Sequence, residues 1–348
     1  MEAKKRIERF DIAKGIGILL VIIGHMHLQM INPFIFSFHM PLFFFVSGYF
    51  LSEKYSVSVY VRKRARQLLV PYIFACICII IGFLIKDIAI GHSEAIIFDM
   101  KKWTFAAIYA SGQEYSSPFA IPSIGDIWFL PAMFFATIIV RRCISYKYKL
   151  LLIVIISYVG YATSQKIWLP FSIQAGMTAA IFLFGGWKCR DIRLFDKKIP
   201  KDIEIGMLAI WIFCILFGGK MYLVRNYFGN GLLDVVGAFC ACYFIVKISG
   251  WIEKYAKRIC DILAFFGRNS LIILCFHTIE LKLIPWDSIK LVFSGITGLN
   301  VESIWIIIII IILKILWCLV WTCVVLRVPF LKRIFLLSGK LPFQKALG

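Results

Sequence analysis

Residues 10–30 read FDIAKGIGILLVIIGHMHLQM, an apolar run long enough to cross a bilayer that also carries Asp11, Lys14 and His25. With Lys14 set to zero and 100° per residue, Asp11 falls at about 60° and His25 at about 20°, and Gly17, Ile18 and Val21 continue the stripe between them. One face of the predicted helix is therefore polar. The step from Lys14 to His25 is about 16 Å of helical rise, so a charged pair at the water interface puts the imidazole near the middle of a roughly 30 Å hydrocarbon layer. An ionisable group at that depth is a functional candidate by default. His27 falls off the stripe and reads as an interfacial residue.

The rest of the chain extends the same reading. Of 348 residues 61% are hydrophobic and 17% charged, with a mean hydropathy of +0.86, far above a soluble domain. The formal charge of +20 does not point to nucleic acid, because the Lys and Arg recur in short clusters between apolar runs instead of gathering on one domain. The eleven cysteines include no C-x-x-C, so neither a zinc site nor a disulfide framework is indicated. The basic N-terminus followed by an apolar run has the outline of a signal peptide, but no small-x-small cleavage site follows, and the run is expected to remain as the first span.

Windows of about twenty apolar residues give ten expected spans: 11–30, 34–51, 68–90, 126–140, 150–168, 170–187, 203–219, 231–249, 262–284 and 303–326. With the N-terminus in the cytoplasm, six basic clusters fall on one side, roughly 28 of the 39 Lys and Arg, against roughly six outside. The expected fold is an all-α, polytopic integral membrane protein of about ten helices, both termini cytoplasmic, with residues 1–348 forming one membrane domain and no separate soluble part. The outer loops are expected to be short except 92–125, whose length suggests a lid or a mobile loop. No internal repeat of the kind found in many transporters is visible.

Four motifs stand in order: FDIAKGIGILLVIIGH, FIFSFHMPLFFFVSGYFL, VRKRARQLLVPY and IWFLPAMFF, followed later by FGRNSLIILCFH. Together they resemble the membrane acyltransferase-3 family, and within it the fucose 4-O-acetylase-like and surface-polysaccharide O-acetyltransferase branch. The resemblance implies an enzyme of the bacterial cell (inner) membrane, a multi-pass protein that moves an acyl group, commonly acetyl from acetyl-CoA, to a carbohydrate hydroxyl. Its partners are membrane lipid and a carbohydrate or lipid-linked glycan; neither a metal nor a nucleic acid is expected.

The family's basic-x10-His pattern falls on Lys14 and His25. A sugar hydroxyl is a poor nucleophile at neutral pH, and a neutral imidazole can take its proton as it attacks the thioester. His25 is therefore the expected general base, with an acyl-histidine route equally compatible. Asp11 is assigned beside it as a catalytic-site carboxylate that pairs with Lys14 one turn on, although it lies too far along the helix to touch His25. Lys14 with Arg62, Arg64 and Arg66 is expected to meet the phosphates of coenzyme A, since guanidinium groups match phosphate oxygens in a bidentate fork; the same cluster also reads as a positive-inside anchor. The family shows R-x-x-R there, whereas this chain has Lys63-x-x-Arg66 flanked by Arg62 and Arg64. His39, Trp128 and His277 are expected to line the acceptor cavity; a satisfied interhelical hydrogen bond for His39 and an interfacial belt role for Trp128 remain open. Ser270 lies over 10 Å of rise from His277, which excludes a Ser-His-Glu triad with Glu280. Glu204, Asp234, Lys282 and Lys314 are read as isolated charges that snorkel or pair. The competing class is a transporter or flippase using His25, His39 and His277 as a proton relay; thiol release from acetyl-CoA separates the two.

Overall fold

The computed structural model describes residues 7–26, 28–217 and 221–336; His27, Lys220 and parts of the two terminal basic clusters lie outside them. Among the described residues the chain forms fifteen α-helices: α1 Glu8–Gly24, α2 Asn32–Phe36, α3 His39–Tyr49, α4 Val57–Ile90, α5 Ser93–Tyr109, α6 Phe129–Cys143, α7 Lys149–Ser164, α8 Ile173–Asp191, α9 Lys201–Leu216, α10 Leu232–Tyr255, α11 Lys257–Arg268, α12 Ser270–Leu283, α13 Trp286–Thr297, α14 Ile304–Arg327 and α15 Pro329–Phe335. Two two-residue strands, β1 Met221–Tyr222 and β2 Tyr227–Phe228, pair antiparallel. The all-α expectation is met.

Among the described residues, which leave out 218 and 219 of the span expected at 203–219, each expected span coincides with helix, but by length and composition three helices (α4, α10 and α14) can cross a membrane, or four if the bent pair α11 and α12 counts as one span. The departures have local causes. α1 stops at Gly24, so His25 caps the helix instead of lying inside it. The second expected span is broken at Ser37 and Phe38, where the Ser37 hydroxyl donates to the Phe34 carbonyl and competes with the helical ladder. Residues 262–284 turn by 67° at Asn269, whose side-chain amide donates to the Phe265 carbonyl. α4 absorbs the basic Arg62 to Arg66 segment into one 34-residue helix that continues through Pro71. Half of the expected 92–125 loop is helix α5, and a bridge between Tyr115 and Ile121 orders the remainder. The outer surface is apolar: on α4, Ile73, Ile77, Ile81, Ile85 and Ile88 form one exposed stripe, which is what a lipid-facing helix presents.

The helices that hold α1 approach at backbone distance. A Cβ on Gly15 would stand 2.0 Å from the Leu263 carbonyl oxygen, and one on Gly267 1.7 Å from that of Asp11, so α1 and α11 are notched into each other; Gly48 of α3 and Gly186 of α8 do the same. Small residues at such crossings permit the close van der Waals packing that drives helix association in lipid. At the start of α1 the Phe10 ring contacts Tyr49, Phe50 and Phe195. Nearby, Glu53 accepts from Arg190 and Trp187, and Arg141 donates to the Tyr55 carbonyl. These contacts gather helix ends bearing basic clusters at one end of the bundle and leave the C-terminal end of α1 at the other.

Candidate active site

At the C-terminal end of α1 the chain turns tightly, with the Met26 amide bonding the Ile23 carbonyl at 2.9 Å. The His25 Nδ1–H donates to the Val21 carbonyl at 2.8 Å. Its Nε2 then faces Asp126 Oδ1 at 3.1 Å. Asp126 opens a short 3-10 turn, Asp126–Trp128, that leads into α6. What aims it is the residue before: Gly125 has φ +88° and ψ −160°, a conformation that L side chains avoid, and a Cβ there would meet Thr278 Cγ2 at 2.9 Å. The segment is pinned from both sides, by the Ile124 amide on the Ser111 carbonyl at 2.7 Å and by Lys282 Nζ on the Ser123 carbonyl at 3.0 Å.

His277 approaches from α12. Its Nε2 lies 3.4 Å from His25 Nδ1 and 4.0 Å from Asp126 Oδ2, an oxygen that is buried without a hydrogen-bond partner among the described residues. Its Nδ1 is 2.7 Å from Glu280 Oε1, one turn along the same helix. Glu280 also accepts from Lys314 Nζ of α14, at 3.1 Å and 3.2 Å on its two oxygens, and that ammonium sits 4.3 Å from the Trp286 ring centre. Glu280 and His277 are 0% exposed and Lys314 2%. Two ionised groups so deeply buried must be paired, and they are.

The side chains of His25 and Asp126 are 29% and 20% exposed, so these two form the open face of the cluster and His277 lies behind them. His25, Asp126 and His277 each offer one ligand atom within 4.8 Å of one another, a composition able to hold a divalent cation. The nitrogen found 3.4 Å from His277 Nε2 is the proton-bearing Nδ1 of His25, so that proton links the two imidazoles.

The other expected site residues are distributed differently. Asp11 is buried and pairs with Lys14 at 2.9 Å, but fourteen helical residues put it about 21 Å of rise from His25; the carboxylate beside the imidazole is Asp126 instead. Arg64 Nε donates to the Tyr60 hydroxyl at 3.0 Å and its Nη1 to Gln67 Oε1 at 2.8 Å, while Arg62 and Arg66 are exposed. His39 is buried with its Nδ1–H on the Ile35 carbonyl at 2.9 Å, a bond within its own chain segment. Trp128 is 3% exposed, wedged against Gly112 and Phe129, so it is a core residue and not an interfacial one. Near Arg9 lies a basic cavity of about 480 Å³ lined by Lys197, Lys198, Lys201 and Lys247 together with Phe195 and Tyr243, which the sequence did not single out. Lys314 was read as an isolated charge that snorkels or pairs; its partner, Glu280, comes only from the structure.

The family model described as an acyltransferase domain matches residues 7–323. The chain belongs to this family. The resemblance carried by the ordered motifs at 10–135 is thereby established. Among curated proteins the chain is similar to "Nodulation protein NolL" of Mesorhizobium japonicum, 36% identical over 147 residues, covering 38% of this chain and 34% of the relative. It is also similar to "Nodulation protein NolL" of Sinorhizobium fredii, 39% identical over 90 residues, covering 21% of this chain and 24% of the relative. The chain thus spans about a third or less of the length of the curated relatives it matches. No solved structure matches.

Proposed function

We propose that this acyltransferase-domain chain is a multi-pass membrane O-acyltransferase that moves an acetyl group from cytoplasmic acetyl-CoA to a hydroxyl of a cell-surface or lipid-linked polysaccharide. The observation that carries the reading is the 3.1 Å approach of His25 Nε2 to Asp126 on the open face of an otherwise buried polar cluster. With Nδ1–H committed to Val21, Nε2 is the nitrogen that takes the acceptor hydroxyl's proton, and the imidazolium so formed donates that proton toward Asp126 Oδ1, so the 3.1 Å contact is the one that stabilises the charged form. The hydroxyl oxygen attacks the thioester carbonyl, the C–S bond breaks, and coenzyme A leaves as thiolate and recovers a proton.

The finer layout follows the basic clusters. We place the helical bundle in the bacterial inner membrane with both termini in the cytoplasm, so that the end of the bundle holding Lys14, Arg62, Arg64 and Arg66 faces the compartment where acetyl-CoA is made. Those four side chains hold the donor's phosphates, and the thioester reaches His25 about 16 Å further along α1. His39 and Trp128 support the acceptor side from the core. The test is transfer from labelled acetyl-CoA by the purified protein in lipid, read together with thiol release. His25→Ala is expected to lower both by on the order of 10²–10⁴-fold; undiminished turnover removes the proposed base.

A further inference from the structure

Lys314, Glu280 and His277 sit behind His25 and are more than positioning mass requires. A buried ion pair gains little stability over an apolar pair of the same volume, because desolvating both charges offsets their attraction. Here the pair is 0% and 2% exposed and one of its carboxylate oxygens also meets His277 Nδ1 at 2.7 Å. The partners fix the protons along the chain. Lys314 bonds both oxygens of Glu280, so Glu280 is a carboxylate and His277 must carry its proton on Nδ1. That leaves the His277 Nε2 lone pair directed at His25 Nδ1, 3.4 Å away. His25 Nδ1–H thus has two acceptors, the Val21 carbonyl at 2.8 Å and an imidazole nitrogen. A backbone carbonyl accepts a hydrogen bond but is a very weak base, whereas imidazole takes the proton itself near neutrality.

We propose that His277, held by Glu280 and Lys314, is a second proton acceptor behind His25. This deepens the reading of His25 as base and rests on it. As the acceptor's O–H proton arrives at His25 Nε2, the Nδ1 proton passes to His277 Nε2, and the positive charge moves next to Glu280. The new C–O bond forms and the C–S bond breaks; the leaving thiolate then takes a proton from His25 Nε2, and the His277 proton returns to His25 Nδ1, so the site ends as it began. The charged and titratable groups around His277 are His25 from the end of α1, Asp126 from the turn before α6, Glu280 from its own helix and Lys314 from α14. His277 does not touch the acceptor; Glu280 and Lys314 are positioning residues for it.

The experiment compares wild type with Glu280→Gln, His277→Gln and the charge-neutral double variant Glu280→Gln/Lys314→Met, each reconstituted as the full chain in lipid. The double variant removes both buried charges together, so it is expected to melt at or above the wild-type temperature. If the relay operates, all three lose about 10–100-fold in kcat with KM for acetyl-CoA within about twofold, as expected for groups that act only in the transition state. The proton inventory in mixed H₂O and D₂O is curved for wild type, two protons being in flight, and linear for His277→Gln. Wild-type kcat in the double variant, or a linear wild-type inventory, overturns the relay. If His25→Ala retains turnover the base reading itself fails; if His25→Ala is dead while these variants are unimpaired, only the relay fails.

Discussion

The two ends of α1 are built on different principles. At its start Asp11 and Lys14 satisfy each other across one turn, 2.9 Å apart on a single helix. At its end His25 is satisfied by groups from elsewhere: Asp126, 101 residues on, and His277, 252 residues on, with Lys314 behind them. The first pair costs the fold little, since i,i+3 neighbours meet in any helix. The second set exists only because helix crossings, a strained glycine and a 67° bend bring four segments to one point. Local ion pairs of this kind can form on one isolated helix, whereas the nonlocal cluster requires the tertiary fold.

That contrast can be broken experimentally. The largest effect is expected from Asp126→Asn, which keeps the shape but removes the charge that stabilises the His25 imidazolium: transfer falls about 100-fold or more with protein yield and melting temperature near wild type. A melting loss equal to the activity loss would make Asp126 structural. Gly267→Ala comes next, because its Cβ would lie 1.7 Å from the Asp11 carbonyl oxygen. Pushing α11 off α1 is expected to cost about 1–3 kcal/mol, seen as a lower melting temperature. Since α11 leads into α12, the same variant tests whether the two ends of α1 are coupled: transfer should drop further than partial unfolding explains. Gly125→Ala is expected to reduce kcat roughly tenfold, through misplacement of Asp126 by a fraction of an ångström, with stability lowered by about 1 kcal/mol or more.

Smaller effects are expected at the other end. Lys14→Ala leaves the His25 cluster intact, so KM for acetyl-CoA should rise several-fold while kcat changes little. Arg62→Ala combined with Arg66→Ala sharpens the same point. A KM increase of a few-fold assigns the exposed arginines to the donor. An unchanged KM, with a rise instead in Lys197→Ala/Lys198→Ala, moves the phosphates to the cavity near Arg9.

What could be read from sequence was what repeats along one helix or one span. The polar stripe on α1, the Asp11/Lys14 pair and the shared face of His277 and Glu280 follow from 3.6-residue periodicity. Helix breaks were harder. Ser37, His25 and Asn269 each turn a side chain onto a nearby carbonyl, and a hydropathy window cannot see a single hydrogen bond. The partner of His25 was out of reach because Asp126 stands in an ordinary segment start, beside Trp128, with nothing in the spacing to tie it to residue 25. Lys314 and Glu280 were visible as two buried charges of opposite sign, but not as each other's partners.

By itself, then, the sequence determined an all-helical membrane protein of the acyltransferase-domain family and marked His25 as the group to explain, because composition, charge clusters and short motifs are written along the chain. Only the tertiary structure decided which carboxylate faces that imidazole, which histidine stands behind it and which lysine balances the charge. Those contacts depend on the crossing of helices far apart in sequence, and glycine notches such as Gly15 and Gly267 fix that crossing through backbone distances that no residue spacing records.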